Sequence, residues 1–418
     1  MEKLNTFAKK SYDTVPMYIR KRCVRDDMKW EDYPTIEKNE VIEQEAEAIA
    51  AYAIPLYYGN KLIRTRTSGS TGKYMEIYWK KSDYAKSMMP LWILRKKYYD
   101  INPEDKMCFF FTIMEIGNND KDRIIQGNQI GYSKSNLSME RLKTIYLEML
   151  EYKPVWMLLQ PSMAILLCRC VKRYNLPKLD SIKYIELTGE ILRDEVRKLI
   201  TETFDCKIAN QYGANEFNSI AYECPYGNMH IMTSNVYVEV LDKAGNIITD
   251  DREGKLYITT KTNTAMPLIR YGIGDIGKIE QCECGCESKR PILRLTSGRT
   301  NDLIQTESGE EKTVYTLIRA IDNINYEMDG LIKQFQIEQN SYTDFIIKLV
   351  IDEDEQDYIP VEELKKLFVN GIYDEELKKC NYSLWIEDEM FPEEVMYDEN
   401  GNVAGGKFKY FKRKIKEI

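Results

Sequence analysis

Between Ser138 and Gly213 the chain alternates without a break between helix-patterned and strand-patterned segments. SMERLKTIYLEMLEYKP, SMAILLCRCVKRYNL and EILRDEVRKLITETF carry apolar residues at helical spacing, whereas VWMLLQ, IKYIELTG and CKIANQYG are short apolar runs suited to buried strands. That order predicts parallel strands joined by crossover helices, since a parallel neighbour cannot be reached through a tight hairpin. Ligands of such sheets lie beyond the carboxyl ends of the strands, so LTGE at 187–190 and QYGANEF at 211–217 are where chemistry is expected.

The flanking segments complete an α/β architecture. IEKNEVIEQEAEAIAAYAI has helical spacing up to Pro55, YMEIYW and KMCFFFTIM read as strands, and SDYAKSMMPLWILRKKYYD reads as a helix interrupted near Pro90. NVYVEVLD, GKLYITTKT and LIRYGIGDIGKIEQ, separated by DKAGN and DREGK turns, predict an antiparallel, β-rich subdomain. Past Arg299, IKQFQIEQ, DFIIKLVIDEDEQD, VEELKKLFVNGI and NYSLWIEDE predict a small α+β domain. No low-complexity linker intervenes, so a large domain over 1–300 and a small one over 301–418 are expected to meet at a compact hinge.

Charge and composition exclude several functions. A formal net charge of −8 argues against a general nucleic-acid binder, which needs a broad basic face. Lys407, Lys409, Lys412, Arg413, Lys414 and Lys416 make the C-terminal end basic, in a run that reads as a solvated face. The N-terminal stretch carries charges where a signal peptide needs apolar residues, and no segment has the apolar length of a membrane span, so a cytoplasmic location is expected. Ten cysteines without a secretory signal read as thiols or metal ligands.

RTRTSGSTGKY, from Arg64 to Tyr74, combines glycines, hydroxyls and basic side chains, the donors that a phosphate oxyanion accepts. It is not a P-loop, because Thr67 stands where the first glycine belongs and Tyr74 where the magnesium-binding hydroxyl belongs. By itself the segment fits a phosphate cradle or a flexible surface linker.

Further segments follow it in order: LTGE, QYGANEF, RYGIGD at 270–275, GRTND at 298–302 and GGKFKYFKRK near the end. Together they resemble the adenylate-forming superfamily of acyl-CoA synthetases, luciferases and adenylation domains. The likeness is nearest to the phenylacetate-CoA ligase branch and its capsular-biosynthesis relatives. It implies attack of a carboxylate on the α-phosphate of ATP, giving an acyl-adenylate and pyrophosphate, then transfer to a thiol. One anion must approach another, so the site must supply positive charge already in position. By that resemblance Thr67, Ser68, Gly69, Ser70, Thr71, Gly72 and Lys73 wrap the β- and γ-phosphates, and Glu216 holds magnesium. Gly189 and Glu190 pass over adenine, Tyr212 lies against the base, Gly213 belongs to the same nucleotide site, and Asp275 with Arg299 takes the ribose hydroxyls. Lys407, with Lys409 as its competitor, is the catalytic lysine delivered by a small mobile domain, and Asn301 beside Asp302 occupies the pivot position.

The single histidine, His230, follows Cys224 by six residues, and QCECGCE supplies Cys282, Cys284 and Cys286. Cys-x5-His plus Cys-x-Cys gives four ligands of the number and type that close a tetrahedral zinc site. The resemblance assigns Cys224, His230, Cys282 and Cys284 to a structural zinc, with Cys286 as a spare or substitute.

An aromatic lining from Phe109, Phe110, Phe111, Trp156 and Tyr212 suits an aryl or arylacetic acid, or else simple core packing. Coenzyme A is the expected acceptor; a carrier-protein thiol or an amine would use the same first half-reaction, and a non-catalytic, zinc-stabilised nucleotide-binding protein is the alternative of another class. The expected partner is a small-molecule carboxylic acid, with a carrier protein and a homodimer left open, and neither nucleic acid nor membrane.

Overall fold

The computed structural model describes residues 2–21, 28–66, 75–111, 123–133, 139–190, 192–281, 283–297, 303–309, 311–328, 331–351, 360–372, 374–387, 396–397, 403–405 and 410–415. They divide into two compact units, Met1–Ile273 with Gly277–Thr296, and Gly274–Ile276 with Ser297–Ile418. The expected boundary at 300/301 falls outside the described residues.

In the first unit a hairpin of β1 (Ile63–Arg66) and β2 (Glu76–Trp79) precedes a twelve-stranded sheet. Its strands are β3 (Met107–Phe111), β4 (Arg123–Gln126), β5 (Gln129–Ser133), β6 (Trp156–Leu159), β7 (Tyr184–Thr188), β8 (Lys207–Ala214), β9 (Asn218–Glu223), β10 (Met229–Ile231), β11 (Val236–Leu241), β12 (Gly254–Thr260), β13 (Tyr271–Glu280) and β14 (Ile292–Ser297). They lie in the order β11-β12-β13-β14-β10-β9-β8-β7-β6-β3-β5-β4. β5, β3, β6, β7 and β8 run parallel, and helices Met139–Tyr152, Pro161–Arg173 and Asp194–Phe204 form the crossovers. The apolar stripes of those helices meet the strands in a core that includes Ile145, Met149, Leu167, Ile185, Leu187 and Phe204.

After β8 the pairing turns antiparallel, through β9, β10 and β14, and β11 pairs antiparallel with β12. The parallel part and the β-rich part are therefore one hydrogen-bonded sheet. The tight turn after Ala214 returns the chain beside β8, and β9 to β14 all join the same sheet. N-terminal residues Tyr12, Tyr18, Trp30 and Ile36 cover the antiparallel half, packing with Ile220, Val236, Leu256 and Tyr271.

Two local expectations change. Helix Lys81–Tyr99 runs through Pro90. Proline removes a donor and crowds the preceding turn, but in that turn the Ser87 carbonyl accepts from Asn235 Nδ2 at 2.7 Å and Ser87 Oγ from Asn218 Nδ2 at 2.6 Å. Tertiary bonds thus secure the turn that proline weakens. Residues 36–58 form not one helix but Lys38–Glu43 and Ile54–Tyr58 with 3₁₀ turns between, because the Ala50 N–H donates to the Ala265 carbonyl and Ile36 bridges to Tyr271.

The second unit is α+β. β17 (Ile332–Gln339), β18 (Asp344–Ile351), β19 (Asn381–Ile386) and β22 (Phe411–Arg413) form a sheet in the order β19-β18-β17-β22. β15 (Leu303–Gln305) pairs with β16 (Glu311–Thr313), and β20 (Met396–Tyr397) with β21 (Val403–Gly405). Helices Tyr315–Glu327 and Val361–Asn370 supply Ile321, Ile324, Leu364 and Phe368 to a core shared with Ile337 and Ile347.

Candidate functional site

A tight turn of the large sheet builds the first part of the site. β8 ends at Ala214, and the Phe217 N–H donates to the Ala214 carbonyl at 2.9 Å, closing a four-residue turn. Gly213 is required there, since a Cβ would meet the Asn218 carbonyl oxygen at 2.6 Å. The turn exposes Asn215 and buries Glu216, 8% exposed, and Phe217, fully buried. Glu216 Oε1 accepts from the Tyr271 hydroxyl at 3.2 Å. Tyr212 is half-buried against the apolar core. A buried carboxylate at the carboxyl end of a parallel strand can offer oxygen to a hard divalent cation.

Gly189 follows β7 with φ +84°, a left-handed conformation that favours glycine, and Glu190 beside it is exposed. A Cβ on Gly189 would contact Gln160 Nε2 at 3.5 Å. Gln160 in turn lines a cavity of about 200 Å³ with Phe109, Phe110, Leu158, Leu159 and Thr188, at the carboxyl ends of β3, β6 and β7. Apolar walls with one amide and one hydroxyl suit a small, largely apolar ligand. Trp156 is not among these walls. It is 2% exposed, with the Arg95 guanidinium 4.9 Å from its ring centre. Arg95 makes a bidentate ion pair with the fully buried Glu186, at 2.8 and 2.6 Å.

Asp275 lies on β13, half-buried, directly after Gly274 at φ +88°. Thr67, Ser68, Gly69, Ser70, Thr71, Gly72, Lys73, Arg299, Asn301, Asp302, Lys407 and Lys409 lie outside the described residues. β1 and β2 are paired as far as Arg66 with Glu76.

Four soft donors meet elsewhere in the first unit. Cys224, His230, Cys284 and Cys286 bring their ligand atoms within 4.8 Å of one another. Cys224 follows β9, His230 sits within β10, and Cys284 and Cys286 occupy the connection from β13 to β14. Cys224 Sγ is 3.6 Å from Cys284 Sγ, and Cys286 Sγ is 3.2 Å from His230 Nε2. Tetrahedral zinc with bonds of about 2.0–2.3 Å places its ligands about 3.5–3.8 Å apart; the Cys224–Cys284 spacing lies in that range and the Cys286–His230 spacing is slightly shorter, so the donor set fits that ion with a small opening. His230 Nδ1 lies 2.9 Å from the Arg290 carbonyl, which fixes the N–H there and leaves Nε2 for a metal. Burial pushes the Cys284 thiol up, but donors from the Cys286 backbone, Asn228 and His230 outweigh it and pull it down to about 6. Cys282, named in the sequence, lies outside the described residues; Cys286 completes the described set.

Sequence reasoning gave no role to Tyr271, although it is the second residue of RYGIGD. It also missed the Arg95–Glu186 pair, whose partners are 91 residues apart.

No family model matches the chain. Over 301 residues, 71% of this chain and 65% of the relative, it is 25% identical to Protein CapK of Staphylococcus aureus. Over 142 residues, 32% of this chain and 31% of the relative, it is 34% identical to phenylacetate-coenzyme A ligase of Thermus thermophilus. The matches span about two thirds and about one third of those relatives' lengths. In structure the chain resembles 2-hydroxyisobutyryl-CoA ligase in the postadenylation state in complex with R3-HIB-AMP, with TM-score 0.73 and 15% identity, over 98% of this chain and 88% of that one. The fold is the one seen in that 2-hydroxyisobutyryl-CoA ligase. Among the described residues no helix is long and apolar enough to cross a membrane.

Proposed function

We propose that the chain is an ATP-dependent carboxylic acid:CoA ligase that forms an acyl-adenylate, releases pyrophosphate and passes the acyl group to coenzyme A. The observation that carries this reading is the buried Glu216 carboxylate, held by a tight turn at the carboxyl end of a parallel strand, in a fold shared with a ligase bound to an adenylate. Glu216 takes magnesium, which neutralises phosphate charge as the two anions approach. Thr67 to Lys73 hold the terminal phosphates. Gly189 and Glu190 bound the adenine, with Tyr212 and Gly213 against its face, and Asp275 and Arg299 take the ribose. Lys407 places a point charge on the α-phosphate and acyl oxygens.

The acid occupies the cavity between Phe109, Phe110, Leu158 and Leu159, whose size and apolar walls favour an aryl or arylacetic acid. A structural zinc, held by Cys224, His230, Cys284 and either Cys286 or Cys282, ties the ends of β9 and β10 to the β13–β14 connection. The reaction takes place in the cytoplasm.

A panel of aromatic and aliphatic acids, assayed for ATP- and magnesium-dependent pyrophosphate release with and without coenzyme A, tests the reading. The expected result is release with an aryl or arylacetic acid and a thioester only when coenzyme A is present. No release with any acid would overturn it. Lys407→Ala should lower adenylation by about a thousand-fold while ATP binding is kept.

A further inference from the structure

Tyr271 is 1% exposed, and its hydroxyl meets Glu216 Oε1 at 3.2 Å. Both its ring and its backbone are fixed. The ring centre lies 5.9 Å from that of Phe217, the residue after Glu216, so the phenol packs on the turn that it bonds. The backbone is clamped by the extended segment at Ile36, whose N–H donates to the Arg270 carbonyl at 3.0 Å and whose carbonyl accepts from Gly272 at 2.9 Å.

Arg270 reinforces the clamp. With φ at +49°, it directs Nε to Glu239 Oε1 at 2.7 Å and NH1 to the carbonyls of Glu31 and Tyr33 at 2.9 and 2.6 Å. The Trp30 indole N–H donates to the other oxygen of Glu239. The N-terminal segment and β13 thus form a braced frame that delivers one hydroxyl to one carboxylate. A phenol donating to a carboxylate restricts its rotation and occupies one of its oxygens, which aims the remaining lone pairs at a cation.

We propose that Tyr271 is a positioning residue that orients Glu216 toward the divalent cation of the magnesium nucleotide. This rests on the reading of Glu216 as the magnesium ligand given above. The groups around it that are braced into place, Arg270, Glu239 and Trp30, act through Tyr271 and do not touch the nucleotide.

The test follows ATP binding by calorimetry across a magnesium series, with manganese binding in the presence of ATP read by electron paramagnetic resonance. Neither readout needs a known acid. Tyr271→Phe keeps the ring and removes the hydroxyl. It should raise the magnesium midpoint about ten-fold and weaken manganese binding similarly, with ATP affinity at saturating magnesium and thermal stability close to the parent chain. Glu216→Gln is the reference and should shift the midpoint further; adding Tyr271→Phe to it should cause no additional shift. If Glu216→Gln moves the midpoint and Tyr271→Phe does not, the positioning role is wrong and the placement of magnesium stands. An equal loss of ATP binding at every magnesium concentration in Tyr271→Phe would also overturn it, by showing a purely structural part. If neither variant moves the midpoint, the placement of magnesium at Glu216 fails, and this inference with it.

Discussion

The six residues of β9 separate two kinds of polar centre. Two residues before the strand begins, Glu216 offers a hard carboxylate oxygen fixed by a phenol; directly after it ends, Cys224 joins a closed set of soft thiol and imidazole donors. The six-residue strand sets the two roughly 20 Å apart. Hard oxygen suits magnesium and phosphate, whereas thiolates and imidazole suit zinc. Closure differs as well. With an ion bound, the soft set would supply four protein atoms and leave no position for a reactant, as a site that ties strands together does, while a single carboxylate would leave most positions of a cation to substrate oxygens.

This division of labour can be broken in four ways, each acting at one end of the strand. The largest effect is expected from Glu216→Gln, which should cut pyrophosphate release by about a thousand-fold and leave zinc content, measured by elemental analysis, unchanged. Next, Cys224→Ser combined with Cys284→Ser should abolish bound zinc and lower the melting temperature by about 5–10 °C, without moving the magnesium midpoint for ATP. Loss of zinc with no change in melting would show that the cluster ties nothing together.

A smaller effect is expected from Gly213→Ala. Its new methyl would meet the Asn218 carbonyl at 2.6 Å, so the turn must shift, at a cost of about 1–3 kcal/mol in denaturant unfolding, with weaker magnesium dependence as Glu216 moves with it. The smallest effect is in pH. The Cys284 thiol is pulled down to about 6, whereas burial pushes the Cys224 thiol up to about 12, so an ion held by both must displace the Cys224 proton. Zinc retention against a chelator should therefore weaken steadily as pH falls from about 8 and drop further below about pH 6. ATP affinity should not follow the same curve.

The parallel half of the sheet was legible because its helices and strands carry different apolar periods over consecutive segments. The fate of Pro90 was not, since the bonds that secure its helix come from Asn218 and Asn235, more than a hundred residues away. For the same reason residues 36–54 read as helical up to Pro55, although Ala50 and Ile36 spend their backbone groups on distant partners. At the site, QYGANEF pointed to Glu216 through its motif, but nothing in the chain pairs position 216 with position 271. The cysteines show the same limit. QCECGCE presents three thiols at equal spacing, and only the path of the β13–β14 connection selects Cys284 and Cys286 among those described.

The most direct measurement is a crystal structure with a non-hydrolysable acyl-adenylate mimic and manganese in place of magnesium, recorded at the manganese and zinc absorption edges. The expected maps show manganese at Glu216, zinc among Cys224, His230 and Cys284, adenosine against Tyr212 and Gly189, and the acyl group between Phe109 and Leu158. Adenosine bound away from Tyr212 and Gly189, with no manganese at Glu216, would contradict the assignment of this chain to carboxylate activation.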